Sequence, residues 1–301
     1  MKQNVALVLS SGGSRGLAHI GVISELEKHG FAITSVSGSS IGAVIGGLFA
    51  MGKIQEYTEW VSSFNKRDVW GFMDFTLATN GLLKGERVFD KMKIFIPDMN
   101  IEDMSIPFAA VATDILHEKE VVFTKGSFYE AARASIAIPA VFTPVKCSDT
   151  ILVDGGVLNP IPIEHVLRKN GDMLIVVNLY GDKKYDIPKE TNTNNGYLNR
   201  LMNTISTLIL TGDKHSTGYY SLLSGTTSAM IHRIAKMSIE KHKPDMIINI
   251  PSDSANTFDF YRAKELIQLG ESAAKKAINY YYKNLYGNEF IKRIYQYSQA
   301  H

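Results

Sequence analysis

Three short segments carry residues whose types and spacing could do chemistry. The first is Gly38-Ser39-Ser40-Ile41-Gly42, a serine with a glycine two residues away on either side. At a sharp strand-to-helix turn such glycines let neighbouring backbone approach, and the serine hydroxyl projects at the end of the sheet. The following helix N-terminus would offer unpaired N–H groups and a partial positive charge, both favourable to an alkoxide or oxyanion. The same five residues also fit a plain serine N-cap. The second segment is Ser10-Ser11-Gly12-Gly13-Ser14-Arg15-Gly16. Its glycines let backbone N–H groups face an anion, which is a phosphate in a nucleotide binder and an oxyanion in a hydrolase. In the second case each well-aimed donor is worth roughly 3 kcal/mol of barrier. No Gly-Lys-Ser/Thr ending makes it a P-loop, and glycines at 12, 13 and 16 do not make G-x-G-x-x-G. The third is Asp154-Gly155-Gly156. A carboxylate with open surroundings can act as base for a serine, and an Asp-Gly pair is equally a common structural turn.

The elements around these segments must position them. Val5–Leu9 reads as a short buried strand that closes in the first Gly-rich turn, and Leu17–Leu26 as an amphipathic helix ended by Gly30. A second strand, Ile33–Ser37, runs into the Ser40 turn. The helix after it, Ile41–Met51, is apolar all round and therefore buried. Two strand–turn–helix units in succession predict a mostly parallel sheet covered on both faces. Further strands are expected at Phe108–Thr113, Glu120–Thr124, Val141–Val145, Ile151–Val153, Met173–Leu179 and Met246–Ile250. Helices are expected at Ser127–Ile138, Ile163–Lys169 and Phe260–Leu285, with helical spacing through Tyr197–His242. Gly181–Gly196 is polar and reads as a surface loop. No repeat or domain boundary interrupts the chain, so residues 1–301 are expected to form one α/β domain: a motif-bearing core over 5–180 and a helical part over 197–301.

Composition narrows the function classes. Lys and Arg number 32 against 30 Asp and Glu, and no dense basic run supports a nucleic-acid surface. The single cysteine, Cys147, excludes internal disulfides and cysteine-built zinc sites. The apolar run Val5–Leu9 is too short for an export signal, and no run approaches the roughly 20 residues that span a bilayer. A cytoplasmic location is the expectation, and peripheral contact at a membrane stays open.

Taken in order, the three segments resemble the patatin-like phospholipases, in particular their compact bacterial members. In that family a Gly-rich first turn ending in Arg or Lys plus Gly precedes a G-x-S-x-G serine, and a D-G-G or D-G-A follows later. Ala134-Ser135-Ile136-Ala137-Ile138-Pro139, Phe142-Thr143-Pro144-Val145 and Gly16-Leu17-Ala18-His19-Ile20-Gly21-Val22 look like further family stretches, so the likeness runs from about residue 5 to 180. The resemblance implies a three-layer patatin-like fold with extra C-terminal helices. It also implies a Ser40–Asp154 dyad hydrolysing lipid acyl esters through an acyl-enzyme, with neither metal nor organic cofactor. Gly12, Gly13 and Ser14 would supply the oxyanion hole, supported by Arg15, Gly16, Gly38, Gly42, Gly155 and Gly156. One departure stands out: the family usually has a third consecutive glycine where this chain has Ser11.

The remaining residues offer weaker readings. Of the eight histidines, His215, His232 and His242 fall late enough to complete a triad, but each lies in a polar or helical stretch and reads as structural. His19 reads as packed or capping, and Ser135, Asp114 and Asp149 as structural. Trp60, Phe64, Trp70, Phe72 and Phe75, with Lys66 and Arg67, suit core-facing helices better than a cleft cap or a membrane-touching surface. The basic and aromatic stretch Lys275-Lys276, Tyr280-Tyr281-Tyr282-Lys283 and Lys292-Arg293 suits a helix face or equally a homodimer surface. Two rival readings stay open. One is a catalytically silent scaffold that binds lipid or a partner; the other is a Rossmann-like nucleotide binder, which lacks an acidic residue after its second strand.

Overall fold

The structure is a computed structural model, and it describes residues 3–74, 83–147, 149–183 and 219–286. Eight strands make one sheet: β1 (Gln3–Leu9), β2 (Phe31–Ser39), β3 (Phe108–Asp114), β4 (Lys119–Phe123), β5 (Val145–Cys147), β6 (Thr150–Asp154), β7 (Met173–Gly181) and β8 (Met246–Pro251). Their order is β5-β6-β3-β2-β1-β7-β8, with β4 also paired to β3. The strands β3, β2, β1, β7 and β8 are parallel, whereas β4, β5 and β6 join antiparallel.

Both faces of this sheet are covered, as near-continuous apolar strands require. Along β1, Val5, Leu7 and Leu9 point into a core shared with α1 (Ala18–Lys28), α2 (Ile41–Ala50) and α8 (Ala263–Tyr286). Val8, with Leu174 and Val176 of β7, points the other way against Ile161, Ile163 and Ala235 of α7 (Tyr219–His242). Shorter helices α3 (Ile54–Ser62), α4 (Lys66–Gly71), α5 (Arg87–Lys93) and α6 (Phe128–Ser135) complete the first layer's flank. Helices α1 and α8 cross closely. A Cβ on Gly21 would sit 1.9 Å from the Ile267 carbonyl oxygen, and one on Gly270 2.0 Å from that of Ala18. Gly30, at φ 80°, ends α1. Among the described residues no helix is long and apolar enough to cross a membrane.

Several expectations are corrected. The strand expected at Val141–Val145 begins only at Val145; Val141 and Phe142 instead meet Leu83, whose N–H donates to the Val141 carbonyl. The helix expected over Ile163–Lys169 is a single turn, Ile163–His165. The segment around it is tied to β2: Ser37 Oγ donates to Pro162 O and Ser35 Oγ to Leu167 O. These two bonds lay the segment as a strap along β2. Helix α6 stops at Ser135, three residues short of its expected end, and the closing helix starts at Ala263 after a separate turn at Phe260–Arg262. The loop expected over Gly181–Gly196 lies outside the described residues beyond Lys183, as do positions 197–218.

Candidate active site

The site is assembled along one edge of β3. Strand β2 pairs with Phe108–Val111 through Val36–Ser39, and β6 pairs with Ala112–Asp114 through Asp154–Leu152. Strand β4 pairs with the same β3 residues, Ala110–Asp114, on the opposite edge. The C-terminal ends of β2 and β6 therefore meet head-on, Ser39 opposite Val111 and Asp154 opposite Ala112, the next residue. This abutment brings Ser40 beside Asp154 across 114 residues of chain: Ser40 Oγ donates to Asp154 Oδ2 at 2.5 Å.

Ser40 occupies the left-handed region, at φ 54° and ψ −126°, a conformation costly for a residue with a Cβ. The glycines around it are needed for close approach. A Cβ on Gly38 would lie 2.3 Å from the Gly42 carbonyl carbon, and one on Gly42 2.2 Å from Leu9 O. Ser135 holds the turn from below: its Oγ accepts from Ser40 N–H at 2.8 Å and donates to Val111 O at 2.6 Å. Expected to be merely structural, Ser135 is thus a direct partner of the Ser40 backbone. Its sequence signal was the Ala134–Pro139 stretch already noted.

Asp154 is buried, and burial pushes its carboxyl up to about 6. Two hydrogen bonds oppose that rise without cancelling it, from Ser40 Oγ and from Gly156 N–H, which meets Oδ1 at 2.7 Å. Gly155 lets the chain pass under β3, since a Cβ there would sit 2.1 Å from Val111 O.

The first Gly-rich turn lies across the same opening. Gly12, Gly13, Ser40 and Asp154 line one cleft of mixed polar and apolar character, and the Gly12 and Gly13 N–H groups make no hydrogen bond to another described residue. Ser14 departs from its expected role as an anion donor. Its N–H is committed to Thr257 O at 2.9 Å and its Oγ to Asn256 O, which turns it away from the cleft. Arg15 is also committed: Nε donates to Gly12 O, and one terminal nitrogen donates to Leu179 O and Ser252 O. It ties the turn to the ends of β7 and β8. Gly16 sits under Ile41, whose side chain a Cβ would strike at 2.3 Å.

A second, apolar cleft opens from Ser40. Ile41, Val44, Tyr57, Trp60, Phe72 and Phe89 are among its walls. Trp60 packs on Phe64, Phe72 and Phe95 at ring distances of 4.7, 5.5 and 5.3 Å. Trp60, Phe64 and Phe72 therefore belong to a cavity wall, while Phe75 lies outside the described residues. None of the described histidines hydrogen-bonds Ser40 Oγ. His19 is buried with Nε2 on Ser10 O, and its burial holds it down at about 4. His232 bonds Ser228 O and His242 bonds Glu164, while His215 lies outside the described residues.

A helix-covered, mostly parallel sheet with a strained serine at a strand-to-helix elbow defines an α/β protein of the hydrolase-elbow kind. Residues 7–167, more than half of the chain, match the patatin-like phospholipases, and the chain belongs to that family of lipid hydrolases. An uncharacterized NTE family protein of Mycobacterium tuberculosis (strain ATCC 25618 / H37Rv) is 29% identical, with 91% of each chain covered. A lysophospholipase of the yeast Meyerozyma guilliermondii is 30% identical over 58% of this chain and 12% of its own length. The crystal structure of VipD from Legionella pneumophila aligns with a TM-score of 0.46 at 12% identity, over 92% of this chain and 67% of the other.

Proposed function

We propose that the protein hydrolyses acyl esters of lipids, in the manner of a phospholipase A or lysophospholipase, with Ser40 as nucleophile and Asp154 as base. The observation that carries this is the Ser40 Oγ–Asp154 Oδ2 hydrogen bond at the junction of an apolar cleft and one of mixed character. An acyl chain laid in the apolar cleft puts its ester carbonyl at Ser40. Asp154 takes the Ser40 proton as Oγ attacks that carbon, and the Gly12 and Gly13 amides receive the oxyanion. As the tetrahedral centre collapses, Asp154 returns the proton to the departing alcohol oxygen. Water, deprotonated by the same carboxylate, then attacks the Ser40 ester, and Asp154 returns that proton to Ser40 Oγ as the fatty acid leaves. A carboxyl held near 6 is a better base than an ordinary aspartate and still ionised at neutral pH. The lysophospholipase relative supports a single-chain lipid ester as substrate. The backbone strain at Ser40 argues for an elbow serine over a plain N-cap, which needs no such conformation, and the intact Ser40–Asp154 pair argues against a silent scaffold.

Hydrolysis of p-nitrophenyl butyrate and of a long-chain lysophospholipid, with fluorophosphonate labelling alongside, tests the reading. Wild type should turn over and label. Ser40→Ala should do neither, and Asp154→Asn should lose turnover by at least about 1,000-fold. Turnover that survives Ser40→Ala in a folded protein rejects it.

A further inference from the structure

Ser11 precedes the two glycines of the first turn, and its surroundings show what the hydroxyl does. Its backbone does not need glycine: Ser11 is outside the left-handed region, and its N–H donates to Pro160 O at 2.9 Å. Its Oγ shares a short hydrogen bond with the phenol oxygen of Tyr180, near the end of β7. Tyr180 is held from three other sides. Its N–H donates to Asn178 Oδ1, Arg15 lies 5.9 Å from the ring centroid, and His232 of α7 meets the ring edge-on at 5.0 Å. The pair also borders Asp154. A Cβ on Gly156 would fall 2.6 Å from Ser11 Oγ and 3.0 Å from Asp154 Oδ1, so both groups close around the same glycine.

We propose that Ser11 and Tyr180 form a positioning pair, whose hydroxyl–hydroxyl bond fixes the Gly12–Gly13 amides relative to Asp154 and so sets the geometry of the oxyanion site. This rests on the reading of those two amides as oxyanion donors. Without the bond, the turn keeps its Arg15 and Ser14 anchors and the Ser10 Oγ that accepts from Leu179 N–H of β7, but Ser11, the residue next to the Gly12–Gly13 amides, loses its side-chain tie to β7. A turn that wanders by an ångström costs transition-state stabilisation while leaving ground-state binding in the clefts unchanged.

The test is a mutant cycle of Tyr180→Phe, Ser11→Gly and the double variant, read by kcat and KM on p-nitrophenyl butyrate and by amide hydrogen exchange of the peptide over residues 10–16. Each single variant should lower kcat about tenfold with KM unchanged, and the double variant should be no worse than either single. Exchange in 10–16 should quicken in all three, with the remaining peptides unaltered. Losses that multiply to about a hundredfold in the double variant, or unchanged exchange in 10–16, overturn the proposal. The exchange arm needs no catalysis, so an inactive wild type would count against the acyl-hydrolase reading while the pairing is still judged.

Discussion

Asp154→Asn should make the protein more stable at pH 8 and leave its stability at pH 4 nearly unchanged. The carboxyl sits at about 6 in the folded protein against an ordinary 3.8, chiefly because it is buried. Below 3.8 both folded and unfolded chains hold the proton and the site adds no penalty. Between 3.8 and about 6 the unfolded chain releases its proton while the folded one keeps it, so stability falls as pH rises. Above 6 the folded chain carries a buried charge, and the loss has levelled off. The gap between 3.8 and 6 corresponds to roughly 3 kcal/mol at 1.36 kcal/mol per tenfold change in affinity for the proton. Asparagine is the matched neutral replacement, since Oδ1 can still accept from Gly156 N–H and Nδ2 can donate to Ser40 Oγ. For a chain of 301 residues with about 2.1 cal/mol/K of unfolding entropy per residue, 3 kcal/mol is a rise in Tm of roughly 5 °C. Melting curves of wild type and variant at pH 4.5, 6 and 8 should show a gap that opens with pH. A constant gap, or a variant less stable at pH 8, would refute the argument that burial of Asp154 sets its proton affinity.

Two further outcomes follow from the same geometry. Val44 lies on α2 one turn beyond Ser40 and lines the apolar cleft, so Val44→Phe should cut turnover of long-chain esters about tenfold or more relative to butyrate; an unchanged chain-length profile removes the cleft from the acyl path. Ser135→Ala strips the Ser40 N–H of its acceptor in a buried site, at a cost of about 1–3 kcal/mol in unfolding free energy, and should slow fluorophosphonate labelling in the folded variant; labelling at the wild-type rate would show that the elbow needs no support there.

What the sequence made legible depended on how local the cause was. Strand, turn and helix around Ser40 follow from a glycine pattern and an apolar run within twenty residues, and the structure places them within two residues of their expected limits. The helix expected at Ile163–Lys169 is a single turn in a segment laid along β2 by Ser35 and Ser37, more than a hundred residues earlier, whose hydroxyls donate to Leu167 O and Pro162 O. Tyr180 was invisible for a related reason. A tyrosine near the end of a buried strand has no motif, and only the fold brings it to Ser11. Ser14 was assigned by position in a Gly-rich run, but an N–H faces an anion only if nothing else accepts it, and Thr257 does.

The juxtaposition of Ser40 with Asp154 has a cause that no local pattern contains. Strand β3 offers one edge to two strands in turn: β2 uses it as far as Val111, and β6 enters antiparallel from the other end as far as Ala112. A strand that ran parallel there would deliver its other end to the elbow and leave Asp154 pointing away. The antiparallel entry of β6 into an otherwise parallel centre is therefore what places a carboxylate, rather than a chain passing elsewhere, at the tip of β2. It also explains the two glycines after Asp154. The chain must turn off β3 at once beneath the elbow, and Val111 O and Ser39 Oγ leave no room for a Cβ at Gly155, as Ser11 and Asp154 leave none at Gly156.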